Sequence, residues 1–278
     1  MMKVGLALGG GGARGLCFIE FCKAMDELGV KPSIIAGTSI GAIIGAFYAK
    51  GIPGYEMEKF LRHITLLKIP RLVDFSVFGR SALLKGRRIE AFIRTHLRCD
   101  RFEDLQIPFK ITATDYWKRE PVVIDHGPLI PAIRASMSLP AIFEPVQYEN
   151  RFLIDGGAVN PLPIDIIRDE CDYLIAIDVA GTIAKDNGQK PGMFECIMST
   201  YQIMQNTIIQ EKMKHFAPDL YVHPRLVNFG ILDFHHEKEI RKSVRGDVYR
   251  FKRLLKQDLL KKRQKTLPAQ SLQFREVA

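Results

Sequence analysis

A chain of 278 residues, 47% apolar and 26% charged, fits one large globular domain or one domain with a small appendage. Its net charge of +9 sits in one place: residues 238–265 carry twelve Lys or Arg against three acids and the remainder balances, so the candidate partners are anionic lipid or nucleic acid. No apolar run reaches the ~18 residues of a membrane span, residues 4–8 are too short for a secretory signal, and five scattered cysteines lack C-x-x-C spacing, so a cytoplasmic chain with reduced thiols and no zinc site is expected.

Residues 3–8 run from alternating to continuously apolar and stop at a glycine cluster, as a buried strand ending in a turn does. Residues 16–28 have helical spacing, with Phe18, Phe21, Cys22, Met25 and Leu28 on one side and Gly29 as the stop. A strand at 33–36 and a helix at 40–49 follow. This alternation implies parallel pairing with right-handed crossovers, hence an α/β fold. Residues 52–105 break the rhythm. Helical patches at 55–64 and 85–97 flank an irregular stretch at 69–84, and the whole is expected as an insertion over the sheet. Its Val73, Phe75, Val77 and Phe78 would make an apolar landing surface if exposed and ordinary core if buried.

Strands resume at 107–113 and 121–124, with a turn near Lys118. A helix at 130–136, a strand at 152–154, a helix at 163–170 and a buried strand at 173–179 are expected next. A polar loop at 181–192, a long helix at 194–215 and a short strand at 220–222 lead to a basic helix at 237–265. Along that helix Ile240, Val244, Val248, Phe251, Leu255 and Leu259 recur at 3.6-residue spacing. The last dozen residues are expected to fray. The organisation is therefore a main domain at 1–225 and a basic helical extension at 226–278.

The sharpest motif is Gly37-Thr38-Ser39-Ile40-Gly41, a G-x-S-x-G between a strand and a helix. A sharp strand-to-helix turn strains the serine backbone and presents its hydroxyl above the sheet, and Gly37 and Gly41 leave room for neighbouring chain. The positive end of the following helix favours negative charge developing there. The same letters also occur as a plain tight turn. A second cluster, Gly9 to Gly12 with Ala13, Arg14 and Gly15, formally matches G-x-G-x-x-G. A dinucleotide site needs an acid ending the second strand, and Ala36-Gly37-Thr38-Ser39 has none. What survives is an anion-binding turn supported by Arg14, which beside a nucleophilic serine is an oxyanion hole.

Such a serine needs a base. His223, with Asp178 to orient it, is one candidate in the chain order Ser, Asp, His. Asp155 is the other, ending an apolar strand in Leu153-Ile154-Asp155-Gly156-Gly157, where active-site groups of α/β sheets collect. A simple Asp-Gly turn would read the same way.

Taken together, Gly10-Gly11-Gly12-Ala13-Arg14-Gly15, Gly37-Thr38-Ser39-Ile40-Gly41, Ala135-Ser136 through Pro140, and Asp155-Gly156-Gly157 resemble, in order and context, the small bacterial patatin-like phospholipases. The resemblance covers roughly residues 3–225. It implies a Rossmann-like α/β/α sandwich with a mainly parallel sheet, and a Ser-Asp dyad mapping onto Ser39 and Asp155. It also implies an oxyanion hole at Gly10, Gly11 and Gly12 near Arg14, and hydrolysis of phospholipid or lysophospholipid acyl esters with neither metal nor cofactor. A nonspecific soluble esterase, or a regulatory protein on the same fold, is the alternative. The basic helix is expected either as scaffold or as a peripheral contact with anionic membrane. Nucleic acid is disfavoured, since no base-stacking platform accompanies the charge.

Overall fold

The computed structural model describes residues 2–66, 86–180 and 190–266. Its centre is built from β1 (Val4–Leu8), β2 (Ile34–Thr38) and β7 (Tyr173–Ile177), which are buried at every position and almost wholly apolar, Thr38 excepted. Strands of this kind pay no alternation because both faces of a parallel sheet are covered. Around them lie β3 (Phe109–Asp115), β4 (Glu120–Ile124), β5 (Val146–Tyr148), β6 (Arg151–Asp155) and β8 (Leu220–Val222). The sheet order is β5-β6-β3-β2-β1-β7-β8, with β4 also paired to β3. The β3-β2-β1-β7-β8 stretch is parallel throughout, and β4, β5 and β6 pair antiparallel.

The two faces carry separate apolar clusters. Leu6, Leu8, Ile35, Ile175 and Ile177 point to one face, where α1 (Phe18–Glu27), α2 (Ile40–Ala49) and α5 (Leu129–Ser136) cover them. Ala7, Ile34, Ala36, Leu174 and Ala176 point to the other, met by Leu162, Ile164, Ile167 and by Ile209 of α6 (Met193–His215). This is the expected α/β/α sandwich. α1 ends as the sequence predicts: Gly29 takes φ +64°, its amide donates to Asp26 O and that of Val30 to Met25 O, so two terminal carbonyls are satisfied.

Several expectations need correction. Residues 163–170 form turns and one short 3-10 stretch (Arg168–Glu170) instead of an α-helix, because Leu162, Ile164 and Ile167 must all reach the sheet while Pro161 and Pro163 withhold backbone donors. The first turn after the glycine loop is also 3-10, over Gly12–Cys17, before α1 begins. The basic helix is two helices, α7 (Glu237–Ser243) and α8 (Arg245–Thr266), broken at Val244, whose φ of −88° and ψ of 5° leave the helical region. β5 is a strand that the sequence pattern does not signal. Of the insertion, α3 (Gly54–Leu66) and α4 (Arg87–Leu97) are helical as expected. Its Val73, Phe75, Val77 and Phe78 lie outside the described residues, as do most of the polar loop and the last dozen positions.

The apolar stripe of the basic segment packs inward. Ile240, Val244, Phe251 and Leu255 are buried, and Phe251 meets Phe21 of α1 edge-on with ring centroids 5.4 Å apart. Asp258 accepts a hydrogen bond from Tyr173 at 2.7 Å, tying α8 to the central strand β7. Phe251→Ala should therefore cost about 3–5 kcal/mol of stability, as for other buried phenylalanines. Urea unfolding would measure this, and a loss below about 1 kcal/mol would mean that α8 is loosely docked.

Candidate active site

Ser39 sits between β2 and α2 with φ 56° and ψ −120°, a conformation that L-residues adopt only under constraint, at a cost of about 1–3 kcal/mol. The constraint is close backbone approach. A Cβ on Gly41 would lie 2.2 Å from Leu8 O, and one on Gly37 would lie 2.4 Å from Gly41 O. The turn is then pinned from below. Ser39 N–H donates to Ser136 Oγ at 2.8 Å, Ser136 Oγ–H donates to Thr112 O at 2.7 Å, and Thr38 Oγ1 donates to Asn160 O at 2.8 Å.

The base candidate arrives through strand pairing. Thr38 is the last residue of β2 paired to β3, opposite Thr112; the next β3 residue, Ala113, pairs with Asp155 of β6. β4 occupies the opposite edge of β3 over the same residues, so β6 takes up the edge that β2 leaves. Asp155 thereby comes to lie close enough to Ser39 for the serine hydroxyl to favour its charged form. Its carboxylate accepts from Gly157 N–H at 2.6 Å and from Tyr201 Oη at 3.4 Å. Burial is nearly complete, at 2% exposure, and pushes the carboxyl from 3.8 up to about 6, although the Ser39 hydroxyl, the Gly157 amide and Tyr201 pull the other way.

The glycine loop faces the same space. Gly10 N–H is committed to Pro161 O at 2.8 Å, and Ala13 N–H to Ile231 O at 2.8 Å. Gly10 therefore lines the site but is not a free donor, which corrects its expected role. The Gly11 and Gly12 amides have no partner among the described residues. Arg14 is buried behind them and braces the loop, its Nε donating to Gly11 O at 3.1 Å. With the Gln202 amide oxygen turned toward it, Arg14 also donates from Nη1 at 3.1 Å and Nη2 at 2.7 Å. Burial lowers the guanidinium to about 10, with the charge of Asp178 opposing.

His223 is elsewhere. Its Nδ1 lies 3.2 Å from Asp178 Oδ2, and Asp178 also accepts from Tyr221 Oη at 2.7 Å and Ala180 N–H at 2.8 Å. The Asp178–His223 couple exists, but His223 does not line the cavity that holds Ser39 and Asp155. Sequence reasoning missed three residues on one helix. Tyr201 reaches Asp155, Gln202 reaches Arg14, and Gln205 Nε2 donates to Gly157 O at 3.2 Å. Polar residues at i, i+1 and i+4 on an otherwise apolar face of α6 were the available signal.

Ser39 and Asp155 open into a cavity of about 310 Å³ whose wall is mostly apolar, with Phe47 of α2, Phe60 of α3, and Phe92 and Ile93 of α4 among its lining. An extended hydrocarbon chain fits such a lining; a polar ligand would leave its own groups unpaired there.

The raised Asp155 value carries a stability prediction. Between about pH 4 and 6 the folded protein keeps a proton that the unfolded chain has lost, so stability falls as pH rises through that window and stays low above it. The penalty at pH 8 is up to about 3 kcal/mol. Asp155→Asn should recover much of this at pH 8 and little at pH 5, measured by denaturant unfolding at both. A pH-independent effect would show that ionisation of Asp155 costs nothing.

The chain is similar to several known proteins. A family model described as patatin-like phospholipase matches residues 6–168. An uncharacterised NTE family protein of Mycobacterium tuberculosis is 36% identical over 183 residues, covering 66% of this chain and 50% of that protein. The lysophospholipase NTE1 of Saccharomyces cerevisiae is 28% identical over 264 residues, covering 85% of this chain and 16% of that protein. VipD from Legionella pneumophila overlays 89% of this chain and 66% of its own with a TM-score of 0.49 at 11% identity. The chain thus spans about half the length of its mycobacterial relative and a smaller share of the yeast one. With the family model spanning more than half of its length, the chain belongs to the patatin-like phospholipase family.

Proposed function

We propose that the protein is a serine acyl-hydrolase that cleaves acyl esters of phospholipids or lysophospholipids through a Ser39–Asp155 dyad. The observation that carries this reading is a strained serine set beside a buried carboxylate, both lining one apolar cavity. Asp155 accepts the Ser39 proton as Oγ attacks the acyl carbonyl carbon. The Gly11 and Gly12 amides and the amino end of α2 hold the tetrahedral oxyanion. The intermediate collapses to an acyl-serine as Asp155 returns its proton to the departing alkoxide. Water, deprotonated by Asp155, then attacks the acyl-serine and releases the fatty acid, restoring Ser39. A carboxyl near 6 can both take and return that proton close to neutral pH.

The aromatic cavity fits one long acyl chain. The yeast relative is named a lysophospholipase, which is consistent with a single-chain substrate. A peripheral contact with anionic lipid belongs to the same reading: Arg253, Lys256 and Lys261 are exposed on α8 beside exposed Leu254 and Leu260. Reversing these three cations to Glu should weaken sedimentation with anionic vesicles at low salt; equal binding would leave α8 as scaffold alone.

Ser39→Ala should abolish ester hydrolysis and fluorophosphonate labelling with the fold intact. Asp155→Asn should be nearly as damaging, and His223→Ala should stay close to wild type. Inactive His223→Ala with active Asp155→Asn would assign the chemistry to the histidine couple and overturn the dyad.

A further inference from the structure

We propose that the tip of the β3–β4 hairpin is a membrane-docking surface, which sets Tyr116 and Trp117 at the head-group level of a lipid bilayer; this deepens the acyl-hydrolase reading above and rests on it. Tyr116 and Trp117 follow β3 directly and are 50% and 73% exposed, their rings packed edge to face with centroids 4.9 Å apart. One register step past the Asp115–Leu153 pair, Tyr116 N–H donates to Phe152 O at 2.9 Å. That step puts a third aromatic residue, itself 47% exposed, across from the first. Scattered exposed apolar side chains need no explanation, but a contiguous set does.

The tip is built to hold this shape. Asp115 is buried, and its Oδ1 accepts from Trp117 N–H at 3.1 Å and from Lys118 N–H at 3.0 Å. Its carbonyl accepts from Arg119 N–H at 2.8 Å, and Arg119 closes the turn at φ 59°. A fixed tip has little ordering left to undergo on docking. It also stands at the end of the sheet that carries the candidate site. The glycine loop and Ser39 follow the carboxyl ends of β1 and β2, and Asp155 is level with Ala113 on β3. Tyr116 lies beyond Ala113 by about 10 Å along the strand. Amphipathic elements sink about 5–10 Å into a bilayer surface, so a docked tip would bring the level of Asp155 close to the lipid.

The chemistry of the tip selects lipid as its occupant. Tyr and Trp are the side chains that settle at membrane head-group level, with an apolar ring toward the acyl chains and a polar edge toward water. Arg119 and Arg151 flank them, exposed and without an ion-pair partner among the described residues, while Lys118 lies 3.6 Å from Glu120. Across this turn and the neighbouring β5–β6 turn the three cations stand against Glu120 and Glu149, a small surplus that suits lipid phosphates. The chain's family is that of phospholipases, whose substrates sit in such surfaces. The cations of α8 belong to a separate surface, so a probe at the tip tells the two contacts apart.

Trp117 is the only tryptophan of the chain, so its emission reports on this tip alone. With mixed phosphatidylcholine–phosphatidylglycerol vesicles, wild-type emission should shift to the blue and be quenched by lipids brominated high on the acyl chain. Trp117→Ala should lower vesicle partition roughly tenfold, the scale set by burying part of one large aromatic ring. Emission that stays at its aqueous wavelength overturns the docking surface, whether the protein sediments with the vesicles through α8 or does not bind them. Equal partition of variant and wild type overturns it as well. Neither readout needs turnover, so hydrolysis of soluble 4-nitrophenyl butyrate by wild type, absent in Ser39→Ala, reports separately on the hydrolase reading. Should the variant fail to fold, the wild-type emission alone decides.

Discussion

One edge of β3 serves two strands in succession, and the candidate site depends on that exchange. β2 pairs along it as far as Thr112 and then turns away into α2 at Ser39; β6 takes the edge from Ala113 onward and ends in Asp155. The nucleophile candidate and its carboxylate are thus set side by side by backbone pairing within a buried sheet. Groups held on strand ends in this way are placed more sharply than groups on long loops. The junction is sealed by Ser136, whose hydroxyl links the Ser39 amide to the Thr112 carbonyl where the two strands change over.

The arrangement is held at a cost. Ser39 occupies a positive φ, and Asp155 keeps an ionisable group almost wholly buried. Both run against local preference, and both persist because the surrounding structure leaves no alternative. The central strands β1, β2 and β7, buried on both faces, together with α8 packed through Phe251, supply the rigid frame. Helix α6 adds a clasp that reaches both halves of the site, with Tyr201 and Gln205 on the Asp155 turn and Gln202 on Arg14 behind the glycine loop.

Much of this was legible from local pattern. The strand–glycine–helix alternation gave the parallel sheet, and the Gly37 to Gly41 turn pointed to Ser39, because sterics there act within five residues. Asp155 was legible only in combination with the other motifs, since an Asp-Gly pair is common and its neighbour across β3 is remote in sequence. The use of Gly10 was hidden for the same reason: its amide is taken by Pro161, some 150 residues away. The missed turn structure at 163–170 has a related cause, because it is set by the need to bury Leu162, Ile164 and Ile167 against the sheet. The break at Val244 leaves the apolar stripe of the basic segment intact, so periodicity alone could not reveal it.

The central claim is that a buried carboxylate, Asp155, activates Ser39 by taking its proton. The most direct measurement is the pH dependence of fluorophosphonate labelling, with the modified residue mapped by mass spectrometry. The account predicts labelling at Ser39, slow where Asp155 is protonated and rising with pH through an apparent pKa of about 6 to a plateau. Labelling at another residue, or a Ser39 rate that is flat from pH 5 to pH 8, would contradict it.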